Sequence, residues 1–315
     1  MPFQTLAPGR PGRAQVECGS LIRLTLILLF VTVVAAQISG CSINRMLARA
    51  VADQLTAQAD DQDDDLELVR DAAPFFLKFG ESVLARTPDH EGLAEVIAAG
   101  FVRYAWAFVA FEADRVESRD SAAATRLRQR AVRLYARAER HAMRALEQHY
   151  PGLERWLANP LPGGDPMVLD PRHAGVAYWA AAAWGARIAL SKSNAEAIAQ
   201  LPAAVRLTSL LTACCVTWGD GAVASLAGTF EAGRPGGRLS DAQRWFDEAA
   251  RLSGGRMAAV ALARAEALPL AAGDRDEFTR LVREAITIAT QNPGADNRIM
   301  LERARWLLDT IDDRF

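Results

Sequence analysis

The chain has 315 residues, 50% of them apolar, and a formal charge of −2 at pH 7. This length and apolar content allow one large or two modest domains with a substantial core. The near-neutral charge argues against nucleic acid as the main partner, because phosphate binding requires a basic surface. The four cysteines are too few for a disulfide framework and lack zinc-binding spacing, so packing must hold the fold together.

The N-terminus has the organisation of a secretory signal. Three arginines flank the start of an apolar run over residues 24–36, which has the length of a signal h-region and is short for a membrane span. The sequence Ile38-Ser39-Gly40-Cys41 follows, and it resembles a bacterial lipobox. This resemblance implies that residues 1–40 are a cleaved lipoprotein signal peptide and that the thiol of Cys41 carries the lipid.

Acylation of Cys41 would anchor the protein to a membrane, since several acyl chains bind firmly where a single chain binds reversibly. Ser42, rather than Asp, follows the cysteine. By analogy with lipoprotein sorting, this favours the inner leaflet of the outer membrane, with the protein facing the periplasm. Two alternatives stay open, an uncleaved anchor helix over about residues 24–43 and an ordinary signal peptide.

Residues 41–65 form a polar, Ala- and Asp-rich stretch that we interpret as the acylated N-terminus and a tether. Its "DDQDDD" resembles a calcium loop, but Leu66 stands where such a loop requires Gly. We therefore interpret these aspartates as an acidic cap on a helix that begins near Leu66.

Helical periodicity runs from Leu66 to the C-terminus. Between Leu93 and Phe108, apolar residues recur at the i, i+3, i+4, i+7 spacing, and a second apolar stripe predicts a helix sandwiched between layers or lining a cavity. Residues 174–186 carry no charge and are too few to span a bilayer, which predicts a fully buried helix. No alternating β-branched run predicts a sheet, so the fold class is all-α.

The apolar positions also match parts of a tetratricopeptide repeat. One match places Ala98 and Phe101 on the first helix of a repeat, after Pro88 ends the preceding one. Another match runs from Ala227 and Phe230 through the next helix, which contributes Ala242, Phe246 and Ala249. These matches predict an irregular tetratricopeptide-like α-solenoid of stacked antiparallel helical hairpins, with residues 66–315 as a single domain.

Several segments, in order and spacing, closely resemble the T component of tetratricopeptide-repeat-associated TRAP transporters, the TatT family. They are "LVRDAAPFFLKFGESVLARTPDHEGL", "RAVRLYARAERHAMRALEQHYPG", "YWAAAAWGARIALSKSN", "FDEAARLSGGRMAAVALARAEALPLAAGDRDEF" and "RARWLLDTIDDRF". The resemblance implies a periplasmic lipoprotein that associates with the soluble substrate-binding P component of a TRAP transporter. It also implies a homo-oligomer, a trimer by family resemblance, with an apolar channel in each subunit.

The sequence contains no catalytic or nucleotide-binding motif, namely no G-x-S-x-G, HExxH, P-loop or dinucleotide fingerprint. Its four histidines are scattered, and we interpret them as solvated or capping residues. We therefore predict that the protein is not an enzyme and that it has no metal and no cofactor. A hydrolase of unrecognised type stays a remote alternative.

The candidate ligand-binding residues come from the two most apolar helices. They are Phe101, Tyr104, Trp106, Phe108, Tyr178, Trp179, Trp184 and Arg187. The aromatic side chains could line a channel for an apolar or amphipathic ligand, and Arg187 could receive the carboxylate of an organic acid. The alternatives are plain core packing for the aromatics and helix C-terminal stabilisation for Arg187.

The prediction of function is a lipid-anchored accessory protein that docks the P component and helps transfer a small organic-acid or apolar ligand. The alternative is a structural or assembly lipoprotein of the envelope that binds no small molecule. For Cys214 and Cys215, we expect buried thiols rather than a disulfide, because a ring between adjacent residues does not fit a regular helix.

Overall fold

The computed structural model describes residues 46–57, 65–159 and 166–315. The predicted signal peptide, Cys41 and most of the "DDQDDD" segment lie outside the described residues. Within the described part, residues 51–315 belong to one compact unit.

The described residues are mainly helical and contain no β-strand, which confirms the all-α fold class. The helices are α1 (46–57), α2 (Leu66–Leu84), α3 (Glu91–Tyr104), α4 (Phe111–Val116), α5 (Ser121–His149), α6 (Leu153–Ala158), α7 (Ala174–Ala189), α8 (Ala195–Ala199), α9 (Leu201–Cys215), α10 (Ala222–Gly233), α11 (Leu239–Ser253), α12 (Ala258–Ala267), α13 (Pro269–Ala272), α14 (Arg275–Gln291) and α15 (Ala295–Asp309). A π-helical turn, Ala105–Ala110, joins α3 to α4, and a 3-10 turn, Pro171–His173, precedes α7.

Side-chain caps start several of these helices. The Asp65 carboxylate accepts hydrogen bonds of 3.0 Å from the backbone N–H groups of Glu67 and Leu68, which confirms the predicted acidic cap on α2. His90 caps α3 in the same manner, because its Nδ1 accepts a 3.0 Å hydrogen bond from the Leu93 N–H. Each cap satisfies donors that have no partner within the helix.

Helix α3 is sandwiched between α2, α5 and α7, as its two apolar stripes predict. Glycines allow α2 and α3 to approach closely. A Cβ on Gly80 would lie 2.1 Å from Ile97 Cδ1, and a Cβ on Gly100 would lie 2.6 Å from Leu77 Cδ2. The two helices therefore interdigitate through matched glycine–aliphatic contacts that a larger residue would break.

Helices α10 and α11 form the hairpin that the second repeat match predicts. Ala242, Phe246 and Ala249 are fully buried on α11. The ring of Phe246 lies against Gly228 on α10, where an added Cβ would be 3.1 Å from the ring. The small residue on one helix thus accommodates the large residue on the other.

The last helix packs back onto a much earlier part of the chain. The ring of Trp306 on α15 meets that of Phe111 on α4 edge-on, with centroids 5.3 Å apart. Arg303 on α15 reaches Asp114 on α4 at 3.3 Å and Glu266 on α12 at 2.5 Å. A regular solenoid, in which each repeat contacts only its neighbours, has no such contact. The irregular tetratricopeptide-like arrangement itself stays a prediction.

Helix α7 contains the uncharged stretch, and most of its residues are buried. Two other helical stretches of the described residues, Glu91–Val116 and Ala195–Cys215, have the length and apolar composition of a membrane span. Each stretch contains a most apolar window. Half of that window is buried inside the structure in the first stretch, and a third is buried in the second. Core helices share these properties, so the finding is weak evidence for a span.

Two features differ from the sequence analysis. Cys214 and Cys215 form a disulfide, so the expectation of free thiols is wrong. The pair ends α9, and a bond between neighbours at a helix terminus does not interrupt a continuing helix. In addition, residues 51–57 of the predicted tether are helical, and Ala52 and Leu55 are buried in the core. The predicted domain boundaries stay predictions.

Candidate functional site

The candidate site begins with a polar network around Arg187 on the otherwise apolar helix α7. The Arg187 guanidinium donates to both carboxylate oxygens of Glu139 on α5, from Nε at 2.7 Å and from Nη2 at 3.1 Å. Nη2 also donates to Oε1 of Gln200 at 2.5 Å. The indole Nε1 of Trp184 donates to the same Gln200 oxygen at 3.0 Å. Helices α5, α7 and the start of α9 thus meet at one charged centre.

Burial sets the electrostatics of this network. The side chains of Arg187 and Glu139 are only 15% and 17% exposed. Burial raises the pKa of the Glu139 carboxyl, and the hydrogen bonds and charge of Arg187 oppose that rise without cancelling it. A bidentate arginine–carboxylate pair is the geometry by which a guanidinium also recognises the carboxylate of a ligand.

The first predicted channel residues lie at separate contacts along α3 and the π-helical turn. Phe101 is buried and stacks on the ring of His141, with centroids 6.3 Å apart. The rings of Tyr104 and Phe108 lie 5.7 Å apart, and Trp106 lies under the Arg303 guanidinium at 5.3 Å.

The aromatic residues at the start of α7 form a cluster of their own. Tyr178 contacts Trp179 with centroids 5.0 Å apart and Trp218 with centroids 4.8 Å apart. The guanidinium of Arg103 covers the Trp179 ring at 4.8 Å. Ring contacts pair Tyr104 with Phe108 and Tyr178 with Trp179, and Gln200 links Trp184 to Arg187. The aromatic members of these pairs belong to one hydrophobic core or pack against it. A ligand channel along them stays a prediction.

A small cleft lies between α9, α10 and α11. It encloses about 60 Å³, and its lining residues are Val205, Thr208, Ser209, Thr212, Ala227, Phe230, Glu231, Arg234 and Trp245. Pockets for organic ligands typically enclose about 300 Å³ or more, so this cleft has room for a few water molecules only. The predicted channel residues do not line it.

A second polar cluster was missed by the sequence analysis. Glu91 begins α3, His149 ends α5, and His173 precedes α7. Their side chains meet, with His149 Nε2 3.0 Å from Glu91 Oε2 and His173 Nδ1 2.7 Å from Glu91 Oε1. No motif could have revealed this cluster, because Glu91 and His173 are 82 residues apart in sequence and only the packing of three helix ends joins them.

Comparison with known proteins agrees with the resemblance noted in the sequence. A family model described as the TRAP transporter T-component matches residues 62–315. A protein of Treponema pallidum (strain Nichols), described as uncharacterized, is 26% identical over 306 residues, which cover 88% of this chain and 94% of that protein. The family match includes the whole span from α2 to α15, and with it both polar clusters. The chain therefore belongs to the TRAP transporter T-component family.

Proposed function

We propose that this protein is a lipid-anchored accessory component of a TRAP transporter in the periplasm, where it docks the substrate-binding P component and helps transfer a small organic-acid or apolar ligand. The observation that carries the proposal is the family match over residues 62–315, because the family consists of accessory transport proteins. Anchoring and docking act together, since a tethered adaptor raises the effective concentration of its partner near the membrane.

The lipid anchor is tested at Cys41. In cells fed a labelled fatty acid, the wild-type protein should incorporate label and sediment with membranes, whereas Cys41→Ser should do neither. Cys18→Ser is the matched control, because residue 18 lies in the segment that cleavage would remove. Equal labelling of wild type and Cys41→Ser would refute the anchor without bearing on the transport role.

Docking of the P component is tested by copurification. The helical solenoid that the sequence predicts would present an extended surface, which suits the recognition of a folded partner. A tagged T component expressed with its cognate P component should retain it and form a chemical crosslink with it. Absence of both copurification and crosslinking, with both proteins folded, would refute the docking proposal.

Arg187 is the residue that we propose receives a ligand carboxylate. It is the only charged residue within α7, and its carboxylate partner Glu139 is already held in the geometry that a ligand would adopt. A ligand acid would displace the Glu139 carboxylate from Arg187. Burial raises the pKa of Glu139, so protonating the displaced carboxylate costs less free energy. We expect that Arg187→Gln weakens binding of succinate or octanoate measured by calorimetry.

Arg251→Gln is the control for that measurement, because Arg251 pairs with Glu248 on the same helix and is 66% exposed. Equal affinities for wild type and Arg187→Gln would exclude the carboxylate role. The alternative function, an envelope scaffold without a small ligand, is supported by the burial of Phe101 and Trp184. Retention of the P component with no binding of either acid would favour that alternative.

A further inference from the structure

The cluster of Glu91, His149 and His173 has the composition and the position of a metal site. The ends of three helical elements converge there, and each contributes one side chain. One ligand atom from each side chain can be chosen such that all three atoms lie within 4.8 Å of one another. Both imidazoles contact the Glu91 carboxylate. His173 Nδ1 lies 2.7 Å from Oε1 and 2.8 Å from Oε2, and His149 Nε2 lies 3.0 Å from Oε2.

The two imidazole rings, each with a nitrogen on the Glu91 carboxylate, stack on one another. Their centroids are 4.2 Å apart and their planes are inclined by 25°. In a tetrahedral site with bonds of about 2.0–2.2 Å, neighbouring ligand atoms lie about 3.3–3.6 Å apart, so shifts of about 1 Å would bring the three donor atoms onto one ion. His149 is the most exposed of the three side chains, at 40%.

The surrounding residues hold His173 in place. The Tyr150 hydroxyl accepts a 2.7 Å hydrogen bond from the Asp170 N–H, and the Tyr150 ring meets the His173 ring edge-on at 5.5 Å. The Asp170 carboxylate in turn caps the 3-10 turn that carries His173, by accepting from the Arg172 N–H at 2.9 Å. Such supporting contacts orient the ligands of metal sites, which rarely depend on the ligands alone.

We propose that Glu91, His149 and His173 bind a divalent transition-metal ion of the zinc class. Two imidazoles and one carboxylate suit Zn²⁺, Fe²⁺, Co²⁺, Ni²⁺ or Cu²⁺ rather than Ca²⁺ or Mg²⁺, which prefer oxygen ligands, or Cu⁺, which prefers thiolates. Because the protein supplies three ligands and the His149 side of the site is exposed, at least one coordination position is left for water or for an external ligand. The ion would join the ends of α3, α5 and α7.

The test uses the full-length protein in detergent, with a histidine-free tag, after removal of metals with EDTA. Titration with Zn²⁺ in a calorimeter should give one site per chain, and Zn²⁺ should raise the melting temperature of the wild type. His149→Ala and His173→Ala should each weaken Zn²⁺ binding at least about tenfold. Because His149 is 40% exposed, its replacement should leave the helical fold intact by circular dichroism.

The matched control is His141→Gln. His141 also pairs with a glutamate, Glu81 at 2.7 Å, but among the described residues no second histidine accompanies that pair. This variant should bind Zn²⁺ like the wild type, and Co²⁺ should show a visible absorption band in both that His149→Ala lacks. Failure of the wild type to bind Zn²⁺, or unchanged binding by His149→Ala, would overturn the proposal and leave a hydrogen-bonded cluster. The proposed transport role does not depend on either result.

Discussion

The turn before α10 offers a test of how closely the helical hairpins are packed. Gly219, Asp220 and Gly221 all have positive φ, and Gly221 has φ of +92°. A Cβ at Gly221 would lie 2.5 Å from the backbone oxygen of Ala249 and 3.1 Å from its Cα. Because Ala249 is buried within α11, that oxygen cannot move aside without shifting the helix. Gly221→Ala therefore combines backbone strain with a collision.

Gly152 provides the matched control. Its φ is +88°, nearly that of Gly221, but an added Cβ would meet nothing within 4 Å. Both substitutions carry the left-handed backbone cost of about 1–2 kcal/mol, and both gain about 0.5 kcal/mol from the stiffer unfolded chain. Only Gly221→Ala adds the overpacking cost of about 1–3 kcal/mol. We therefore expect it to destabilise the protein by about 1–3 kcal/mol more than Gly152→Ala does.

The assay is urea unfolding of both variants and the wild type, followed by circular dichroism at 222 nm. If the unfolding free energies of the variants fall with urea concentration at the same slope, the difference between their midpoints multiplied by that slope gives the difference in unfolding free energy. If the two variants differ by less than about 0.5 kcal/mol, or if Gly152→Ala is the less stable, the close contact between the turn and α11 is refuted.

Three further predictions concern packing and charge. Phe246→Ala should cost about 3–5 kcal/mol in urea unfolding because its ring is fully buried, whereas Phe75→Ala, at a side chain 76% exposed, should change stability by less than about 0.5 kcal/mol. Glu81→Gln should lower stability at pH 7 by about 1.5–3 kcal/mol, the range for hydrogen bonds to charged groups. Burial acts to raise the pKa of Glu81, but the hydrogen bonds from Lys78 and His141 and the charge of Arg137 outweigh it, so the folded-state pKa lies below 4.5.

The stabilisation by Glu81 is therefore present above pH 4.5 and disappears as the pH falls through the folded-state pKa. Melting temperatures of wild type and Glu81→Gln should accordingly converge on acidification, and a gap that widens below pH 4.5 would contradict the assignment.

The amino-acid sequence by itself determined the all-α class, the cap at Asp65, the buried helix α7 and the family. The first three features depend on residues that are close in sequence, which helical periodicity and capping patterns record. The family depends on the order and spacing of whole segments. The α10–α11 hairpin was predictable for the same reason, since small and large residues at fixed spacing on adjacent helices specify their mutual fit.

Only the tertiary structure decided which side chains meet across helices. It placed Arg187 against Glu139, Trp306 against Phe111, and Glu91 against His149 and His173. Such contacts join residues that are tens to almost two hundred positions apart, and periodicity within one helix carries no record of the neighbour that it meets. The disulfide of Cys214 and Cys215 was also not predictable from the sequence pattern. The two residues lie at the end of α9, and helix ends are the part of a fold that sequence patterns locate least well.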